Sequence, residues 1–125
     1  MTLAFRLAAI AAAAALALPA AASAQTATGK RLFLQCQACH TVKKGEPHKI
    51  GPNLNAVFGA KAGSRAGYRY SPAMAKSPIV WTEATLDRLL QRPVTAVPGT
   101  KMIFGGMARK EDRAALIAYL KTVTR

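Results

Sequence analysis

Two thiols and an imidazole fall within five residues in the run Cys36-Gln37-Ala38-Cys39-His40. On a helix, Cys36 and Cys39 are i and i+3 and share a face, so each sulfur can bond one vinyl group of a single porphyrin. His40 follows at once, and its imidazole can swing over the ring centre to reach the iron. The spacing therefore predicts one covalently attached haem with an axial histidine. Zinc could draw on Cys36, Cys39, His40 and His48, but adjacent Cys39 and His40 diverge poorly for a tetrahedron and no second cysteine pair exists. A thiol-disulfide centre would use the same two cysteines, yet the strand-helix alternation of a thioredoxin-like fold is missing.

Iron held by His40 alone would be open to oxygen or peroxide, so the second axial ligand separates a carrier from an enzyme. Beyond Met1 the methionines are Met74, Met102 and Met107. Met74 reads as core packing on a short helix. Met102 ends Pro98-Gly99-Thr100-Lys101-Met102, a turn-rich segment that can bend a side chain toward the ring face opposite His40. Met107, after Gly105-Gly106, is the alternative.

These residues need short helices and long loops to position them. A first helix is expected from near Thr28, as N-cap, through Leu32 and Phe33 to Cys39. Residues 41–66 are rich in glycine and proline and read as loop. Ser71-Pro72 starts a short helix through Lys76, and Thr82 caps another from Glu83 to about Gln91 that Pro93 stops. A last helix over about 109–122 places Leu116, Tyr119, Leu120 and Val123 on one face, with Glu111 and Asp112 near its positive end. Gly29, one turn before Phe33, would let that helix cross the first closely. Sustained strand alternation, internal repeats and heptads are absent.

Composition sets the setting. Residues 1–24 carry one charge, Arg6, in a run of alanine and leucine that Pro19 interrupts and Ala22-Ser23-Ala24 closes. That pattern predicts a cleavable signal peptide over 1–24 and a domain over 25–125, with a retained membrane anchor as the alternative. Such a domain is too short to bury a large core unaided, and two cysteines two residues apart would close too small a disulfide loop to help. The chain has 18 Lys and Arg against 5 Asp and Glu, a net +13 that loss of Arg6 reduces to +12. Partners should be acidic. Export and the lack of interleaved stacking aromatics argue against nucleic acid and favour acidic protein patches or a peripheral contact with an anionic membrane.

Taken together, Gly29 to Phe33, Cys36 to Val42, Gly51-Pro52-Asn53-Leu54, Phe58-Gly59, Gly67 to Tyr70, Trp81, Pro98 to Phe104 and Leu116 to Lys121 resemble the class I cytochromes c. The likeness takes in mitochondrial-type and bacterial c2-like soluble members, with one residue fewer between Gly29 and Cys36. It implies an all-α fold of three to five short helices and long loops around one haem c attached through Cys36 and Cys39. It also implies His40 and Met102 as axial ligands, a Pro52 carbonyl accepting from His40, and Tyr70 and Trp81 bonded to a haem propionate. His48 matches a loop-tying histidine. Ala60, Met74 and Leu89 stand where an arginine, an asparagine and a tyrosine are usual, which implies a drier distal side, with Lys61 or Arg65 as replacements for the missing charge.

The function implied is one-electron carriage in the periplasm by a monomer, between partners such as a cytochrome bc1-type complex, a terminal oxidase or a photosynthetic reaction centre. Lys43, Lys44, Lys61, Lys101, Arg109 and Lys110 would steer docking. A haem enzyme or a gas or peroxide sensor with a labile Met102 is the competing class.

Overall fold

A missing side chain decides how the two longest helices meet. A Cβ on Gly29 would lie 2.1 Å from the Ala115 carbonyl oxygen and 2.7 Å from Tyr119 Cβ, so only glycine admits this approach of backbone to backbone. In this computed structural model, which describes the backbone of residues 2–125 and the side chains of residues 19–125, the helices are α1 (Thr2–Gln37), α2 (Pro72–Lys76), α3 (Glu83–Gln91), α4 (Pro93–Ala96) and α5 (Lys110–Val123). The α1–α5 crossing is closed by Phe33 against Tyr119, ring centroids 5.5 Å apart. Leu116 and Leu120 of α5 are buried, with Tyr119 and Val123 beside them half-buried.

Local chemistry sets the other helices. The Ser71 hydroxyl accepts from the Met74 N–H at the start of α2, and Thr82 and Thr85 form a reciprocal capping box on α3. Pro93, which ends α3 as expected, also opens α4, a single helical turn. Glu111 and Asp112 occupy the first turn of α5 and Lys121 its last, each favourable to the helix dipole. No strand occurs among the described residues, only an isolated bridge between Lys61 and Val80.

The first helix departs from expectation. It does not begin at Thr28; it runs on from residue 2 through Pro19, because alanine has the highest helix propensity and carries the helix across the expected cleavage point. Thr28 is therefore interior, and instead of capping it accepts a long bond from Arg31 Nη2 at 3.4 Å. The helix also stops at Gln37, short of Cys39. The side chains of residues 1–18, most of the expected leader, lie outside the described residues. Among the described residues no helix is long and apolar enough to cross a membrane.

The C-terminus closes the fold over the loop before Val57. The Ala56 N–H donates to the Thr124 carbonyl and Asn55 Nδ2 to the Arg125 carbonyl at 3.0 Å. Ala56 is held there at φ 54°, a left-handed conformation that costs an L-residue with a Cβ.

Candidate haem site

The packed helices and loops leave a large apolar cavity, about 640 Å³, within the range of roughly 300–1,000 Å³ common for cofactor pockets. Cys36, Cys39, His40, Pro52, Tyr70, Trp81 and Met102 all line it. The remaining wall is mostly hydrocarbon, from Phe33, Leu54, Val57, Leu86, Leu89, Leu90, Leu116 and Leu120.

Cys36 lies in the last turn of the helix, one residue before its end, and Cys39 sits in the turn beyond it. That turn stays tight because the Cys39 and His40 N–H groups both donate to the Cys36 carbonyl, at 3.0 and 2.9 Å. The i, i+3 relation expected of the two thiols thus survives although only Cys36 is helical. Burial first, and the neighbouring Cys39 second, push the Cys36 thiol up to about 11. A thioether carries no charge, so the burial that disfavours a thiolate costs the attached form nothing.

His40 is aimed by two contacts. Its Nδ1 donates to the Pro52 carbonyl at 2.7 Å, which leaves the Nε2 lone pair as the free donor to a metal. Behind the ring, a Cβ on Gly51 would lie 2.4 Å from Cε1 and 2.8 Å from each ring nitrogen, so Gly51 is the cradle in which the imidazole lies. Burial holds the His40 pKa below the ordinary histidine value; the Pro52 bond opposes this and Lys49 reinforces it. The neutral ring is the form that ligates a metal.

The segment of residues 97–109 carries Met102. Pro98-Gly99 turn it, with Gly99 at φ +90°, and the Met102 N–H donates to the Thr100 hydroxyl at 3.2 Å. Met107, the alternative ligand, does not line the cavity. It is buried in the core and its N–H donates to the Leu90 carbonyl at 2.8 Å. Met74 does line the cavity, as do Leu89 and Ala60, so all three positions that depart from the family pattern face it.

Tyr70 accepts the Arg65 N–H on its hydroxyl, which leaves its own proton free, and burial raises its pKa so that the proton is retained. Trp81 is buried, its backbone bonded on both sides to the chain at Gly59 and Ala60. His48 ties loops as expected: Nε2 donates to the Ala66 carbonyl at 2.8 Å and Nδ1 accepts the Asn53 N–H at 2.9 Å. Lys101, one of the expected steering cations, also makes contacts within the chain. Its ammonium lies 4.7 Å from the centroid of the Tyr68 ring and donates to the Arg69 carbonyl, so it clasps a neighbouring loop. Tyr68 in turn donates to the Ile50 carbonyl at 2.6 Å, next to the His40 cradle. Tyr68, Gly51 and Thr100 support the site and were passed over as site residues in the sequence, where an aromatic two residues before Tyr70 and a hydroxyl two before Met102 were the available signals.

The cavity's shape, its hydrocarbon wall, its two thiols and its one oriented imidazole fit a haem. The family model for cytochrome c matches residues 26–124. A cytochrome c of Gossypium barbadense is 50% identical over 97 residues, 77% of this chain and 87% of that protein. A cytochrome c2 of Rhodomicrobium vannielii is 49% identical over 94 residues, 75% of each chain, and a cytochrome c of Kluyveromyces lactis 44% over 93, 74% of this chain and 84% of that one. The chain belongs to the cytochrome c family. It is a class I cytochrome c, an electron-transfer protein and not an enzyme, with haem c attached through Cys36 and Cys39.

Proposed function

We propose that this cytochrome c is exported to the periplasm, holds its iron between His40 and Met102, and carries single electrons between membrane-bound redox complexes of a respiratory or photosynthetic chain. One observation carries the reading: an imidazole with its Nε2 free and a thioether on a braced loop line the same apolar cavity. The haem supplies one-electron exchange between Fe(III) and Fe(II). The protein's part would be to hold the group with His40 and Met102, exclude water and keep its own side chains fixed, so that little reorganises when charge changes. A thioether ligand and hydrocarbon surroundings both favour the reduced state. Gly51, Pro52 and Thr100 supply the rigidity.

Charge placement supports acidic partners. Glu83, Asp87, Glu111 and Asp112 lie on α3 and α5, where Glu83 pairs with Lys121 and Asp87 with Arg113. Lys61, Arg65 and Lys101 instead border the cavity, with exposed Ile50 and Ile103 beside them. A positive rim around a small apolar contact suits brief docking to an acidic surface. The leader-like composition of residues 1–24 supports export.

Reduction of the mature holoprotein by an acidic redox partner tests this. The rate should fall at least ~10-fold between 10 and 200 mM salt, as screening of steered encounters requires. A flat dependence would contradict the docking surface.

A further inference from the structure

The Met102 segment has a second fastening, well away from the cavity. Between α4 and α5 the chain runs as a strap over residues 97–109, and its far end is gripped by one buried guanidinium. Arg113, in the first turn of α5, is 6% exposed. Its Nη1 donates to the carbonyls of Met107 and Ala108, at 2.9 and 3.0 Å, while its Nε donates to Asp87 Oδ1 on α3 at 2.7 Å. The strap lies hard against the end of α3 there: a Cβ on Gly106, which has φ +100°, would come within 2.2 Å of the Gln91 carbonyl oxygen. Neither Arg113 nor Asp87 lines the cavity.

A cation this buried is tolerated only when paired and fully hydrogen-bonded, and here the bonds that satisfy it are the ones that pin the strap. Between the pinned residue Met107 and Met102 lie Gly105 and Gly106, which have no side chains to pack and the greatest backbone freedom. Without the grip, the strap could pivot at these glycines and draw Met102 out of the cavity. With it, Met102 is held from both sides, by Thr100 and Lys101 on one and by Arg113 on the other.

We infer that Arg113, neutralised by Asp87, is a positioning residue for Met102 that sets how readily the thioether leaves the iron. This rests on the reading of Met102 as axial ligand. A lysine at 113 keeps the charge opposite Asp87 but cannot place two donors on the two carbonyls, because an ammonium is a point donor and a guanidinium a planar fork. Asp87→Asn leaves the carbonyl bonds in place and removes only the neutralising charge, so its effect is smaller.

The test uses the reduced mature holoprotein and measures the rate of carbon monoxide binding together with amide exchange at Met107 and Ala108. Arg113→Lys should bind carbon monoxide at least ~10-fold faster than the unaltered protein and Arg113→Met faster still, while Asp87→Asn should quicken it less than Arg113→Lys does. Exchange at Met107 should rise in the same order. Gly29→Ala, which destabilises the helix crossing without touching the strap, is the control. Should Arg113→Lys and Gly29→Ala quicken binding equally at equal loss of denaturation midpoint, Arg113 acts only through global stability and the inference is overturned. Should Met102→Ala fail to quicken binding, the ligand reading itself is wrong, whatever the Arg113 variants do.

Discussion

Replacing Gly51 by alanine isolates the steric part of the site. Gly51 is absent from the glycines with positive φ, so alanine meets no backbone penalty there and only its Cβ matters. That Cβ would stand 2.4 Å from His40 Cε1. Carbon–carbon contact is comfortable at about 3.5 Å or more, so the imidazole must retreat by roughly 1 Å. The same retreat stretches the 2.7 Å bond from Nδ1 to the Pro52 carbonyl beyond hydrogen-bond range. Overpacking costs about 1–3 kcal/mol and the lost bond about 0.5–1.5, so the variant should lose roughly 2–4 kcal/mol. At roughly 4–8 °C per kcal/mol for a domain of this size, thermal unfolding of the mature holoprotein followed by circular dichroism should begin roughly 10–30 °C lower. A melting temperature within about 2 °C of the unaltered protein would refute the cradle.

Ala56→Gly should do the opposite. Relief of the left-handed conformation is worth about 1–2 kcal/mol, and the added freedom of the unfolded chain takes back about 0.4–1, so the melting temperature should rise by a few degrees; a fall would count against strain at this residue. Gly29→Ala puts a Cβ against the Ala115 carbonyl, a backbone atom that cannot swing aside, and should cost upward of about 3 kcal/mol in urea unfolding, with a loss under about 1 kcal/mol contradicting the close crossing. Emptying the site should be more costly than any of these. The hydrocarbon wall of a 640 Å³ cavity that draws on Phe33, Trp81, Leu86, Leu90 and Leu116 would lose the partner that keeps it from water, a loss that rivals the whole stability of an ordinary domain. A mature Cys36→Ser/Cys39→Ser chain purified without haem should therefore show neither native helix content nor a cooperative melt, and a sharp transition above about 40 °C would disprove that.

Much of this was legible in the chain because the signals were local. Ser71 and Thr82 cap helices within three residues of themselves, Pro93 stops α3, and the Cys36–His40 run carries its own geometry. Gly29 was legible as a crossing because a helix partner with a suitable face, around Leu116 and Leu120, stood elsewhere in the sequence. What escaped depends on contacts remote in sequence. Arg113 reads as one more cation on a basic chain until α3 brings Asp87 to it, and Lys101 reads only as a steering charge until Tyr68 and Arg69 show that it also clasps a loop. The cradle at Gly51 shows only once His40 folds back over it, eleven residues from its own position. The start of α1 was misplaced for a different reason: Thr28 reads as an N-cap, but the alanine-rich run before it continues the helix and leaves no end there to cap.

The most direct test of a closed, two-ligand electron carrier is the absorption spectrum of the reduced mature holoprotein at neutral pH, before and after addition of carbon monoxide. With His40 and Met102 both on the iron, the spectrum should stay unchanged for minutes, while Met102→Ala should shift at once. An immediate shift in the unaltered protein would show an open iron and contradict the account.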